Sequence, residues 1–292
     1  MQFSDGPTLR LSRESKVLPR VLPTPLRATI EDLTLVAFEY REILAADTIA
    51  IECITTISER NRISGNATVY QDPYFVVQLA GGSRGSCFGF PNDVEFDVDR
   101  YVGGTAFEAL DDDAPDYLIV ALLDAIYGEI NRIEGLQPSR SISYGGTAAE
   151  NGALQARVLA DLAHVEQGTK VALVGVVEDV VRELLERGAQ PYLADLHLTG
   201  RTCLGLTINE DASTIIKESS ALIMTGNTLK THTIDALLTL ANSRGVRTVV
   251  FAMSGAAAAP RYIPLGADAV TTEAFPFFWY PGLGSEIKIW LP

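Results

Sequence analysis

The chain has 292 residues, 47% hydrophobic and 21% charged, with 23 Lys and Arg against 37 Asp and Glu for a formal net charge of −14. That composition belongs to an ordinary globular protein with enough chain for two domains, and excludes disorder throughout. The negative charge opposes both a phosphate backbone and an anionic membrane surface, so no nucleic acid and no membrane is expected as a partner.

No stretch reaches the ~20 apolar residues of a membrane helix. The start, Met1-Gln-Phe-Ser-Asp5, lacks the basic lead and apolar block of a secretory signal, so a cytoplasmic location is expected. Cys53, Cys87 and Cys203 are odd in number and without CxxC spacing, as expected of reduced, structural thiols.

Residues 1–30 contain Pro19, Pro23 and Pro25 and read as an extended arm. From 31 to 140 a small α+β domain is expected. Asp47–Thr56 and Tyr74–Ala80 are strand-like runs of an antiparallel sheet, and Asp116–Asn131 changes to helical spacing. Asp111 to Asp113 ahead of that helix are read as partners of its positive end. The glycine-rich Gly81–Gly89 segment is either an anion-holding nest with Arg84 or a hairpin tip. Gln137–Asn151 reads as the connection to a second domain, 141–292.

This second part alternates short apolar strands with amphipathic helices, the pattern of parallel βαβ units. Its strands are expected at 170–175, 190–195, 221–225, 247–252 and 267–270, with helices at 151–166, 178–187 and 230–243. The expected fold class is therefore α/β: a small α+β N-terminal domain followed by a Rossmann-like domain with a mainly parallel sheet.

In such a sheet the ligand crevice lies beyond the carboxyl ends of the strands. The residues placed there are Gly175, Asp195, the run Thr225-Gly226-Asn227-Thr228, His232 and Ser254. Gly175 stands alone where a dinucleotide fingerprint needs three glycines, and Glu178 and Asp179 follow it, so NAD or FAD is disfavoured. Asp195 reads either as a ligand contact or as a cap of its own turn. His232 is the candidate for proton transfer, with Asp195 orienting it. His197, Cys203 and His232, together with Asp195, have residue types that suit a transition metal, although their spacing matches no known ligand motif. The aromatic run Ala274–Gly282 is a packed tail, a homo-oligomer contact or a lid over the crevice.

The segments Gly168–Gly175, Ser219–Leu238 and the strand ending at Ser254 give the second half a resemblance to a family of Rossmann-like domains named for heavy-metal chelation. Members of that family often carry a preceding domain shaped like the enolase N-terminal domain. Thr225, Gly226, Thr228 and Thr233 match its Thr-Gly-x-Thr-x-x-Asn-x-Thr pattern, and Ala121-Leu-Leu-Asp-Ala125 is similar to an Ala-x-x-Asn-Ala helix of the first domain. His232 stands where the family tends to have glycine, Thr231 where it has asparagine, and Ala252-Met-Ser-Gly-Ala256 replaces a Gly-Pro-Ser-Thr-Pro run. The resemblance implies binding, with or without conversion, of a small polar or metal-chelating metabolite between the domains. The alternatives are a non-catalytic metal or metallophore handling protein, and a biosynthetic enzyme using a nucleotide or S-adenosyl cofactor at Gly175 and Asp195. The cofactor itself is not specified by the sequence.

Overall fold

The computed structural model describes residues 25–61, 70–89, 97–278 and 285–292. The expected arm therefore lies outside the described residues up to position 24. Helix α1 (Ile30–Glu39) starts at Thr29, whose hydroxyl accepts from Asp32 N, and buries Ile30, Leu33, Val36 and Ala37 at helical spacing. Three antiparallel strands follow in the order β1 (Ile51–Asn61), β2 (Tyr70–Leu79) and β3 (Arg84–Phe88). Next come α2 (Ala106–Asp111), with a capping box between Thr105 and Glu108, and α3 (Asp116–Glu134), closed by a left-handed Gly135.

The acidic lead-in differs from expectation. Asp111 ends α2 and Asp112 pairs with Arg100, so Asp116 is the acid in the first turn of α3. The glycine-rich segment forms the β2–β3 turn and most of β3. Its Ser83 N donates to the buried Glu129 carboxylate and Arg84 bonds Gln78, which fits the hairpin reading better than an anion nest. Gly85 lets β3 lie directly on α3, because a Cβ there would stand 2.0 Å from Ala121 O and 2.3 Å from Ala125 N.

The second sheet has nine strands in the order β4-β12-β11-β10-β9-β5-β6-β8-β7. They are β4 (Arg140–Ser143), β5 (Lys170–Val174), β6 (Gln190–Ala194), β7 (Thr202–Cys203), β8 (Leu206–Asn209), β9 (Ala221–Thr225), β10 (Arg247–Ala252), β11 (Ala269–Thr272) and β12 (Glu286–Trp290). From β11 to β8 all neighbours are parallel, while β12 runs antiparallel to both β11 and β4. The segment expected as a connection thus supplies an edge strand, β4, and the start of α4 (Ala148–Leu162), which opens with a Thr147–Glu150 capping box.

Both faces of the central strands β5, β9 and β10 are covered, which is why their sequences are largely continuous apolar runs rather than alternating ones. Val171, Leu173, Ile223, Val249, Phe251 and Ala269 pack under α4 and α5 (Glu178–Glu186). Ala172, Val174, Leu222, Met224, Val250 and Val270 face the opposite way, into a core shared with α6 (Ala212–Lys217), α8 (Ile234–Ser243), α3 and α1. One hydrophobic core therefore runs continuously from the front sheet's helices into the large sheet. A second seam is aromatic: Phe277 is fully buried with its ring centroid 4.6 Å from that of Tyr74, and Phe278 lies 5.6 Å from Tyr144. Residues 275–278 of the aromatic run thus pack within the chain, and 279–282 lie outside the described residues.

Candidate functional site

Reading outward from β5, the parallel strands run β5-β6-β8 in one direction and β5-β9-β10-β11 in the other. The chain leaves β5 to form α5 on one face of the sheet, and leaves β9 to form α7 (Asn227–Lys230) and α8, whose core residues lie on the other. The connections part between β5 and β9, and such a switch point opens a crevice at the strands' carboxyl ends.

Gly175 forms the β5 rim. Its φ of +81° is reserved in practice for glycine, and the Thr225 side chain fills the space where a Cβ would stand, at 2.4 Å. Asp195 sits just past β6. Its Oδ2 accepts from Val176 N at 3.1 Å, and its Oδ1 accepts from His197 N at 2.8 Å and Leu198 N at 3.1 Å, so the carboxylate braces the turns after β5 and β6 together.

On the β9 rim, Gly226 packs so closely that a Cβ would stand 2.5 Å from Ser254 O and 2.9 Å from Ala252 Cβ. Thr228 is buried and its hydroxyl donates to Thr225 O at 2.6 Å, while the Thr231 and Thr233 hydroxyls meet at 3.0 Å. The helix expected at 230–243 is broken here: α7 ends at Lys230 and α8 begins at Ile234. The break centres on His232, which holds a left-handed φ of +55°. Its Nε2 lies 3.0 Å from Asp116 Oδ2 at the start of α3, with both side chains about half exposed (48%). Among the described residues no hydrogen bond joins His232 to Asp195. Asn227 Oδ1 is buried with no hydrogen-bond partner.

Ser254 lies at the seam with the front sheet. Its hydroxyl accepts from Phe88 N at 2.9 Å, Ser86 Oγ donates to Met253 O, and Lys230 Nζ donates to Phe88 O and Gly89 O. Beneath this seam Asp124 is fully buried and accepts from Ser86 N at 2.8 Å and Ala257 N at 2.6 Å, and burial pushes its carboxyl up to about 7. Cys87 beside it is buried and burial pushes its thiol up to about 12, the opposite of an activated nucleophile.

Of the metal candidates, His197 is exposed just past β6 and Cys203 is half-buried in β7 of the β7–β8 hairpin, whereas His232 lies on the β9 side next to Asp116. Among the described residues no group of three or more His, Cys, Asp and Glu side chains is placed to hold a metal ion. None of the described helices is long and apolar enough to cross a membrane.

Glu273, just past β11, was not singled out by the sequence. It is 2% exposed and accepts from Ser285 Oγ at 2.8 Å, Tyr144 Oη at 3.0 Å and Gln155 Nε2 at 3.3 Å, and burial pushes its carboxyl up to about 7. An acid following Thr-Thr at a strand end was the available signal, but its partners are up to 129 positions away. A separate depression of about 400 Å³ in the front part is lined by Arg100, Tyr101, Thr105, Glu108 and Asp112 among others.

The model of the DUF364 family, described as "putative heavy-metal chelation", matches residues 158–268. A DUF364 protein of unknown function from Desulfitobacterium hafniense superposes with a TM-score of 0.56 at 13% identity, over 88% of this chain and 99% of its own. A second, from Pyrococcus horikoshii, superposes with a TM-score of 0.54 at 13% identity, over 90% and 99%. At that identity the likeness establishes the fold: a small N-terminal α+β part and a large, mainly parallel sheet. No sequence match was found among curated proteins.

Proposed function

We propose that the chain binds a small polar or metal-chelating metabolite at the carboxyl ends of β5 and β9, where the front part closes against the large sheet. The observation that carries this reading is a pair of local penalties within seven residues of the end of one switch-point strand, β9. Asn227 Oδ1 is buried unpaired, which costs about 1–3 kcal/mol. His232 holds a left-handed backbone that a non-glycine residue adopts at a cost on the order of 1 kcal/mol. Single penalties of this kind also occur elsewhere, at His164, Leu204, Asp32 and Arg261, but here two of them fall close together at a switch-point strand end, as strained residues do at binding sites.

In this reading Asn227 and the Thr225–Thr228 backbone contact the ligand. Gly175 and Gly226 bring the two rims together, Asp195 holds the β5 rim in place, and Ser254 fixes the front sheet over the crevice. If the ligand is also converted, His232 exchanges the proton and Asp116, its hydrogen-bond partner, orients the ring. A metal enters as cargo inside its chelator, since His197, Cys203 and His232 do not converge on a protein-only site among the described residues. A nucleotide cofactor fits less well: the Asp195 oxygens already accept from three backbone N–H groups, and the first turn of α5 carries Glu178 and Asp179. The front part, a three-stranded antiparallel sheet followed by helices, is read as enolase-N-terminal-like.

Native mass spectrometry of freshly purified protein, with and without chelator, tests the proposal against Asn227→Ala. The expected result is a bound small-molecule mass in the wild type that Asn227→Ala loses, chelator-sensitive if the ligand carries a metal. An equal bound mass in both proteins would refute the placement. If turnover is found, an unchanged rate in His232→Ala removes the proton-transfer role.

A further inference from the structure

The loop that forms the β10 rim of the crevice is a strap of small residues. Ser254-Gly-Ala-Ala-Ala-Ala259 carries no large side chain, so the ties that hold it down are polar. Helix α3 runs beneath and grips Ala257 at both its backbone groups: Asp124 Oδ1 accepts from Ala257 N at 2.6 Å, and Asn131 Nδ2 donates to Ala257 O at 2.7 Å. From the other side β3 bonds to the same loop, with Gly255 N donating to Ser86 O at 3.2 Å and Ser86 Oγ to Met253 O at 2.9 Å. Asp124 joins the two sides, because its Oδ2 also accepts from Ser86 N at 2.8 Å.

Of these groups only Asp124 titrates. It is 2% exposed, and among the described residues no Lys, Arg or His pairs with it. The titratable groups that face it are Cys87 of β3 and Tyr262 in the turn after the strap; burial raises both and keeps them neutral, while Lys230 and Asp116 act on Cys87 from beyond. A carboxylate gains from its two backbone N–H donors, but burial without a cation costs more and pushes the group up to about 7. The ionised form is better placed in water. Lifting the strap is the least costly way to admit water, since α3 and the strands around it are fixed by large buried side chains.

We propose that Asp124 is a proton-operated latch on the Ser254–Ala259 strap: the neutral acid keeps the β10 rim closed against β3, and its ionisation loosens that rim. The proposal rests on the switch-point reading for what the strap regulates, since Ser254 fixes the front sheet over that crevice. The closed strap holds the proton to higher pH than the open one, where the carboxyl returns to its ordinary value of 3.8. Closure is therefore fully favoured below that value, weakens as pH rises towards 7 and is constant above it. Between pH 5 and pH 8 the population of the open strap rises about a hundredfold.

The test is native-state hydrogen exchange on the full chain, followed by NMR at pH 5, 6, 7 and 8, corrected for the intrinsic pH dependence of exchange, with and without ~1 M urea. The amides read are Ser86, Gly255 and Ala257 of the seam, against those of the central strands β9 and β10. The expected result is that the seam amides exchange ahead of the central ones, that their protection falls about a hundredfold between pH 5 and pH 8 with little response to urea, and that Asp124→Asn abolishes this pH trend. Seam amides that share the protection and the urea response of the central strands at every pH overturn the inference, because the strap then opens only when the chain unfolds. A pH trend that survives in Asp124→Asn overturns it too, and the wild-type comparison decides alone if that variant does not fold. The crevice stands or falls separately. A co-purified mass lost in Asn227→Ala, with seam protection independent of pH, keeps the site and removes the latch; the pH trend with equal masses keeps the latch and removes the site.

Discussion

Asp124→Asn separates the two things that the buried carboxyl does. Asp124 ties the Ser86 amide of β3 to the Ala257 amide beyond β10, one acceptor oxygen for each. Asn keeps the shape but turns one acceptor into a donor facing an N–H, which costs about 1–3 kcal/mol. Ionisation acts separately. Burial holds the folded carboxyl near pH 7, against 3.8 in the unfolded chain, so between those values the folded state binds the extra proton. Stability from this group is therefore fully present at low pH, declines as pH rises through that window and is flat above it. Between pH 5 and pH 8 the loss is about 3 kcal/mol in the wild type, and Asn has no such term. Cys87 and Tyr262 close by stay neutral throughout, since burial raises both. Urea unfolding at pH 5, 6, 7 and 8 should find Asp124→Asn less stable at pH 5 and the gap to wild type closing, or reversing, by pH 8. Parallel pH profiles for the two proteins would refute the reasoning.

Gly226→Ala should cost about 1–3 kcal/mol in urea unfolding, because the new Cβ meets Ser254 O and the Ala252 backbone, which cannot swing aside; an unchanged midpoint would show that the β9 and β10 rims are not packed as described. Phe277→Ala should cost about 3–5 kcal/mol, since the ring is fully buried against Tyr74, and a loss below ~1 kcal/mol would contradict that seam. In a thiol-reagent time course the exposed Cys53 should react first, the half-buried Cys203 more slowly and Cys87 only on unfolding. His232→Gly should leave stability unchanged or raise it by up to about 1 kcal/mol, because glycine accepts φ +55° without strain; a clear loss would mean that the Asp116 contact outweighs the strain.

The strands at 170–174, 190–194, 221–225 and 247–252 were legible because sheet strands covered on both faces carry apolar side chains on both, giving near-continuous apolar runs. Edge strands lack that constraint. Arg140–Ser143 has three exposed residues of four and reads as linker, and Glu286–Trp290 follows the aromatic run, which obscured its alternation. The break at His232 was hidden because Thr and His are unremarkable in a helix, and only backbone geometry shows the positive φ. The strand-end residues Gly175, Thr225 to Thr228 and Asp195 were findable from the rule that crevices form at carboxyl ends. Pairings across the chain were not: Asp124 with Ala257, His232 with Asp116 and Glu273 with Tyr144 are separated by 133, 116 and 129 positions. No local pattern encodes them.

The central claim is a location, and electron density for a bound small molecule tests it most directly. Crystals grown from freshly purified protein should show density between the carboxyl ends of β5 and β9, against Asn227. Density in the Arg100–Asp112 depression of the front part, with the switch point empty, would contradict the account.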